Sequence, residues 1–196
     1  MNKKRVGILS GSFDPVHAGH ISMALQAMEE VNLDEVYFVP EIEPRRKNNV
    51  THFAHRVEML KLATTPHHNL KVLELPDKCF TTAQTLPRIR QHLAAVELFF
   101  ICGSDMLEFM PTWPLINKFL TEFKLIVGVR ADYPLASLKK SIEELPVQPD
   151  EVIIFNSSHP NTSSHNLRQS LLSGLADKDM LDSTRDYIER HGLYGG

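Results

Sequence analysis

His17 and His20 are the residues near the start of the chain whose type and spacing best suit chemistry. They lie in residues 10–20, a glycine-containing turn between a strand-like run at 6–9 and a helix predicted over about 21–30. A strand that passes through a glycine turn into a helix directs backbone N–H groups at one point, where anions bind. Both imidazoles can reach that point, because residues three apart share one face of a helix. The pattern predicts a site for a chain of phosphates.

The sequence of this turn excludes two familiar phosphate-binding loops. It has neither the Lys-Ser/Thr pair of a Walker loop nor the G-x-G-x-x-G of a dinucleotide-binding fold. It resembles the signature GxFDPxHxGH of the nucleotidyltransferase superfamily, whose members join a nucleotide to a phosphate acceptor with loss of pyrophosphate. All the fixed letters are present between Gly11 and His20. The resemblance implies catalytic roles for His17 and His20 and phosphate contacts for Gly11, Ser12 and Phe13. The alternative is a capped helix N-terminus with two surface histidines.

A second anion site is predicted where a late helix begins. Ser163 or Ser164 can cap that helix, while exposed N–H groups and Arg168 neutralise phosphate oxygens. A routine N-cap with a surface arginine is the alternative. The segment resembles the superfamily's ISSTxIR motif, with departures at Thr162 and His165. The resemblance implies phosphate binding by the two serines and a catalytic role for the arginine.

Three cations, Arg45, Arg46 and Lys47, follow the second predicted strand. A phosphate site at a helix terminus still needs mobile cations to neutralise it, so Arg46 or Lys47 is expected to face the phosphates. A solvated turn is the alternative. The loop resembles the superfamily's basic PPHK or PPHR segment, and the match is partial because Pro44 is followed by Arg45 and Arg46.

Residues 99–107 run from a predicted strand into a turn and are followed by the only tryptophan, Trp113. Gly103 permits close approach of the backbone to a ligand, and Asp105 can accept a hydrogen bond from a ribose hydroxyl. Trp113 lies among prolines, where its face can stack on a flat ring. A core or lid anchor is the alternative for this side chain.

The pattern GxDxL followed by Pro-x-Trp resembles the bacterial nicotinate mononucleotide adenylyltransferases, and the similarity spans nearly the whole chain. The resemblance implies that Trp113 packs on a pyridine ring and that Thr82 contacts the pyridine carboxylate region, although Thr81 replaces the usual tyrosine. It implies transfer of AMP from ATP to nicotinate mononucleotide, giving nicotinate adenine dinucleotide and pyrophosphate in NAD biosynthesis. It also implies Mg²⁺ held mainly by the ATP phosphates. Pantetheine-phosphate adenylyltransferase, which shares the first motif, and a catalytically weak nucleotide-binding or sensor domain are the alternatives.

Length and composition favour an ordinary soluble protein. The 196 residues fit one nucleotidyltransferase domain, 1–196, with a C-terminal helical segment from about 160. The net charge of −3 gives no general affinity for polyanions, so nucleic acid is not expected as a partner. The longest apolar stretch, 96–102, is too short to span a bilayer, so no membrane partner and a cytoplasmic location are expected. Cys79 and Cys102 are too few and too far apart for a disulfide framework or a metal knuckle. The sequence determines neither the oligomeric state nor the preference for acid or amide at the pyridine.

The elements that must position these residues alternate along the chain. Apolar runs typical of buried parallel strands lie at 6–9, 36–39, 70–75, 98–102, 125–129 and 152–155. Segments with helical periodicity lie at 21–30, 52–63, 83–94, 135–145, 163–173 and 178–190. This alternation predicts an α/β fold, a doubly wound open parallel sheet, which the resemblance identifies as Rossmann-like. Ligands bind such sheets beyond the carboxyl ends of the strands, where the first motif lies.

Overall fold

The computed structural model describes residues 3–45, 47–130, 133–159, 161–175 and 178–195. Over these residues, six strands form one parallel sheet with the order β3-β2-β1-β4-β5-β6. The strands are β1 (Arg5–Gly11), β2 (Glu35–Pro40), β3 (Leu70–Val72), β4 (Glu97–Gly103), β5 (Phe123–Val129) and β6 (Val152–Asn156). The α/β class and the doubly wound parallel sheet predicted from the sequence are confirmed.

Helices cover both faces of this sheet. They are α1 (Ala18–Val31), α2 (Phe53–Thr64), α3 (Thr85–His92), α4 (Ser104–Leu107), α5 (Ile116–Glu122), α6 (Leu135–Glu143), α7 (Ser164–Leu172) and α8 (Asp182–His191). Successive residues of β4 point to opposite faces: Phe100 packs in the core beneath α3, α5 and α6, and Phe99 in the core beneath α1, α2, α7 and α8. A strand buried on both faces needs a continuous apolar run, which is why β4 is visible in the sequence.

The strand order places a crevice between the ends of β1 and β4. Strand β1 pairs with β2 on one side and with β4 on the other, so the connections that leave β1 and β4 diverge. Ligands bind doubly wound sheets at such a switch point. The first motif follows β1, which ends at Gly11, and the predicted nucleotide segment follows β4, which ends at Gly103.

The structure differs from the sequence predictions mainly between residues 104 and 122. Helices α4 and α5 were not predicted, because each is seven residues or shorter and prolines interrupt the segment between them. Helix α3 begins two residues later than predicted, because the hydroxyl of Thr81 accepts from the Gln84 N–H at 3.1 Å and holds a turn. Among the described residues, no helix combines the length and apolar character needed to cross a membrane.

Candidate active site

The turn after β1 is held by buried polar contacts from distant parts of the chain. Asp14 is 2% exposed, and its Oδ1 accepts from the Tyr194 hydroxyl at 2.6 Å and from the Thr51 N–H at 3.3 Å. The neighbouring Phe13 has a φ of 48°, and its buried ring packs edge-on against His20 at 5.0 Å between centroids. The side chain of Phe13 therefore supports the imidazole of His20. Of the groups of Phe13, this leaves the backbone for the predicted phosphate contact.

Arg56 joins this turn to the loop after β2. Its side chain is 0% exposed and donates to four backbone carbonyls at 2.7 to 2.9 Å. The acceptors are the carbonyls of Ser12, Glu41, Ile42 and Thr51. A cation among the mainly apolar residues of the buried face of α2 is the sequence signal that could have found this residue, since charged side chains are rarely buried without partners.

The two imidazoles stack at the start of α1. The ring centroids of His17 and His20 lie 3.7 Å apart, and the His17 N–H donates to Nδ1 of His20 at 3.3 Å. Because Nδ1 accepts, the proton of a neutral His20 ring resides on Nε2. Burial, then the charge of His17 and that of Lys47, hold the pKa of His20 well below its ordinary value. A Cβ on Gly19 would lie 3.1 Å from the His17 ring, so the glycine permits this stacking.

Cations converge on the same turn from the loop after β2 and from helix α7. Lys47 donates from Nζ to the Ser12 hydroxyl at 2.7 Å, and burial, followed by the charge of Arg168, lowers its pKa. Arg168 donates to the Asp14 carbonyl at 2.6 Å and lies 3.8 Å from the Asp14 carboxylate. Arg46, the other predicted phosphate-binding cation of this loop, lies outside the described residues. The structure thus brings Lys47 and Arg168 to the histidine motif.

The late serine pair docks against the first motif. Ser163 is the N-cap of α7, where its hydroxyl accepts from the Asn166 N–H at 3.2 Å, which confirms the predicted cap. Ser164 donates from its hydroxyl to the Pro15 carbonyl at 2.9 Å. Residues almost 150 positions apart therefore form one wall.

A cavity of about 530 Å³ lies between these groups. Its lining includes the predicted residues His17, His20, Lys47, Gly103, Asp105, Ser163, Ser164 and Arg168. Cys102 also lines it, from the buried end of β4, and burial with the nearby Asp105 charge raises the pKa of its thiol to about 12. The lining of the cavity therefore combines hydroxyl, imidazole and cationic donors with the Asp105 carboxylate.

The sequence analysis missed a pair of residues, His159 and Asp179, of which His159 faces this cavity. His159 lines it, and its Nδ1 lies 2.9 Å from Oδ1 of Asp179. Asp179 also accepts from the Thr162 hydroxyl, and its carbonyl accepts from the N–H of Ala18 at 2.9 Å. No local spacing links residues 20 apart in irregular segments, so only the tertiary structure reveals them. Within the described ranges, no group of three or more His, Cys, Asp and Glu side chains is placed to hold a metal ion.

Two further cavities continue from the first. One of about 400 Å³ shares Ser10, Lys47 and Met106 with the 530 Å³ cavity and is also lined by Gly11 and Ser12. One of about 220 Å³ is lined by Thr82 and Trp113, so the structure brings these two predicted acceptor residues together. The 400 Å³ and 220 Å³ cavities share Arg45, Phe80 and Trp113.

Trp113 lies at the boundary between the aromatic core and the two smaller cavities. Its ring packs edge-on against Phe100 and Phe119, with centroids 6.1 and 5.4 Å away, so part of it belongs to the aromatic core. The partly exposed remainder lines both smaller cavities. Anchoring on one side leaves the other side in place for a flat ring.

Comparisons with known proteins agree with this geometry. Residues 8–170 match the cytidylyltransferase-like family model. The nicotinate-nucleotide adenylyltransferase of Bacillus subtilis (strain 168) is 32% identical, over 97% of this chain and 98% of that protein. Two structures of Plasmodium falciparum nicotinic acid mononucleotide adenylyltransferase, complexed with NaAD and with APC, have TM-scores of 0.80 and 0.78. Each is 20% identical, and each comparison covers 97% of both chains, so they support the fold. With the matched motifs placed around one crevice, the chain belongs to the nicotinate-nucleotide adenylyltransferase family of cytidylyltransferase-like proteins.

Proposed function

We propose that this protein transfers the adenylyl group of ATP to nicotinate mononucleotide, releasing pyrophosphate and forming nicotinate adenine dinucleotide. The observation that carries the proposal is the continuity of the cavities. The phosphate donors line one end, Thr82 and Trp113 line the other, and the shared lining of Ser10 and Lys47 lies where the two ends meet. Two nucleotides bound in these cavities would bring their phosphates together at that junction.

The reaction needs no protein nucleophile. A phosphate oxygen of the acceptor attacks the α-phosphorus of ATP in line, a new P–O bond forms, and the bond to the β-phosphate oxygen breaks to release pyrophosphate. The protein contributes positioning and charge neutralisation. His20 donates from Nε2–H to the phosphate that gains charge, and Lys47 and Arg168 hold the departing pyrophosphate. The low pKa of His20 suits this role, because the neutral ring stays a donor without releasing a proton.

The cations near the histidines are already oriented by protein acceptors. Lys47 contacts Ser12 and Arg168 contacts the Asp14 carbonyl. The conformational entropy of these side chains is therefore lost during folding and not when the substrate binds. Such prior orientation is the main source of electrostatic catalysis. Asp105, an exposed residue that lines the 530 Å³ cavity, is the group we assign to the ribose hydroxyls of ATP.

We propose that ATP enters as its Mg²⁺ complex. Imidazole, ammonium, guanidinium and hydroxyl groups line the phosphate end, and these donors suit phosphate oxygens. Mg²⁺ keeps several waters and is commonly bound through substrate phosphates, so it would neutralise phosphate charge while the protein holds the oxygens. The partners proposed are therefore two small nucleotides, and neither nucleic acid nor a membrane is required.

One assay tests the proposal. The protein is incubated with ATP and Mg²⁺ plus either nicotinate mononucleotide or 4′-phosphopantetheine, and pyrophosphate release is followed. We expect release with the pyridine nucleotide alone. Release with phosphopantetheine would assign the acceptor cavity to a different substrate, and binding of both nucleotides without release would identify a binding domain instead of an enzyme.

A further inference from the structure

The side chains of Arg45 and Lys47 have different surroundings, although only one residue lies between them in the sequence. Lys47 points to the phosphate end, where it donates to Ser12. Arg45 lines both smaller cavities and donates from Nε to the sulfur of Cys79 at 3.3 Å. That contact uses one of the guanidinium N–H groups and leaves the forked terminal nitrogens for a ligand.

The charge of Arg45 is not neutralised by an ion pair in the part of the chain that the structure describes, unlike the charges of Lys78 and Arg88. Lys78 lies 3.1 Å from the Glu43 carboxylate, and Arg88 lies 2.6 Å from that of Asp77. Glu41 shares the 400 Å³ cavity with Arg45, but its Oε1 accepts from the Phe80 N–H at 2.9 Å. The 220 Å³ cavity therefore carries a positive charge at its edge.

Residues 80–84 form one wall of that cavity, and most of their backbone N–H groups already have acceptors. The N–H groups of Phe80, Thr81, Gln84 and Thr85 donate to Glu41, Thr85 and Thr81 acceptors at 2.9 to 3.1 Å. The intervening N–H groups of Thr82 and Ala83 have no acceptor among the described residues. Two such donors can bind the oxygens of a carboxylate, and one of them can bind the oxygen of a carboxamide. These N–H groups alone therefore do not fully discriminate the acid from the amide.

We propose that Arg45 makes this site select nicotinate mononucleotide over the corresponding amide. The inference rests on the proposed function, since it concerns the same acceptor cavity. A pyridine ring placed against Trp113, with its substituent at the Thr82 and Ala83 N–H groups, puts that substituent in the cavity that Arg45 lines. A carboxylate there forms a charge-assisted hydrogen bond with the guanidinium, which a neutral carboxamide forms only weakly.

Calorimetric titration of both mononucleotides into the wild type, Arg45→Ala and Arg45→Lys measures this selectivity without requiring turnover. We expect the wild type to favour the acid, and Arg45→Ala to bind it about tenfold more weakly, as for loss of one charged hydrogen bond. Affinity for the amide should change less than about twofold. Arg45→Lys should recover part of the preference, because it keeps the charge and loses the fork.

Lys78→Ala is the matched control, because it removes a cation from the facing loop that does not line the cavity. Acid affinity should be retained in this variant. An equal loss of acid affinity in Lys78→Ala and Arg45→Ala would overturn the assignment, because it would show that the general electrostatic field and not a contact of Arg45 favours the acid. Equal loss of both ligands in Arg45→Ala would overturn it too, and so would a wild type that binds acid and amide alike. Arg45 is exposed, so thermal unfolding of the variants should match the wild type.

Pyrophosphate release with each acceptor separates this inference from the proposed function. Selective binding that Arg45→Ala abolishes, with no pyrophosphate formed, would leave the assignment of Arg45 standing and overturn the proposed reaction. Turnover with the acid and undiminished selectivity in Arg45→Ala would support the proposed reaction and overturn the assignment of Arg45.

Discussion

The phosphate end of the site is built on helix N-termini, whereas the acceptor end is built from loops. At the phosphate end, Lys47, Ser164 and Arg168 donate to protein acceptors in the turn after β1. At the acceptor end, the hydrogen bond of Arg45 among the described groups goes to a thiol, and Thr82, whose backbone N–H has no acceptor there, lines the cavity. The first end is oriented for the chemical step before ligand arrives, and the second keeps donors available for recognition. We therefore expect substitutions at the two ends to affect kcat and KM differently.

Arg56→Met should cause the largest effect, because the Arg56 side chain supports loops at both ends of the site. The substitution leaves four carbonyls without their donor, and an unsatisfied buried acceptor costs about 1 kcal/mol or more, so the free energy of unfolding should fall by about 4 kcal/mol. Denaturant unfolding measures this. Lys61→Met, an exposed cation on the same helix, should change it by less than about 0.5 kcal/mol. A small effect in Arg56→Met would mean that the two loops hold their positions independently.

His20→Ala tests the phosphate end directly. Loss of a donor that strengthens in the transition state should lower kcat by about a hundredfold or more and leave the KM for ATP nearly unchanged. Steady-state kinetics of pyrophosphate release gives both constants. His68→Ala, which removes an exposed histidine far from these cavities, should match the wild type. An unchanged kcat in His20→Ala would remove this residue from the catalytic machinery.

Trp113→Ala tests the acceptor end. Stacking on a ring contributes about 1–3 kcal/mol, so the KM for nicotinate mononucleotide should rise about tenfold or more while that for ATP stays within about twofold. The edge contacts to Phe100 and Phe119 add a stability cost, below the roughly 3–5 kcal/mol of a fully buried tryptophan. Equal increases in both KM values would place the tryptophan outside acceptor recognition. In the wild type, its fluorescence should be quenched by the acceptor and not by ATP.

The smallest effect concerns the pH dependence of stability. The pKa of His20 is lowered in the folded state, so below about pH 6.5 the unfolded chain binds a proton that the folded chain excludes. Stability from the neutral ring is complete above that pH and falls as pH decreases, by less than about 1.4 kcal/mol per pH unit. Unfolding at pH 7.5 and 5.5 should show a shallower dependence in His20→Gln than in the wild type and in His68→Gln. Identical slopes would contradict the lowered pKa of this ring.

Much of the fold and one end of the site could be predicted from sequence. The core strands are continuous apolar runs, because a parallel sheet covered on both faces excludes polar side chains. The histidine pair is local as well: a strand, a turn and a helix N-terminus within about fifteen residues determine where His17 and His20 lie. The serine cap of α7 follows from the same short-range rule, which pairs a hydroxyl with the N–H groups of the first helical turn.

Three features depended on the tertiary structure. They are the different surroundings of Arg45 and Lys47, the position of Trp113 between core and cavity, and the burial of Arg56. Asp14 and Tyr194 meet across 180 positions, and Ser164 reaches Pro15 across 149, without any periodic signal in the intervening sequence. Such contacts form because buried polar groups must find partners wherever packing places them. The sequence by itself determined the phosphate-binding motif through local geometry. Which cation lines which cavity was decided only by the packing of segments that are distant along the chain.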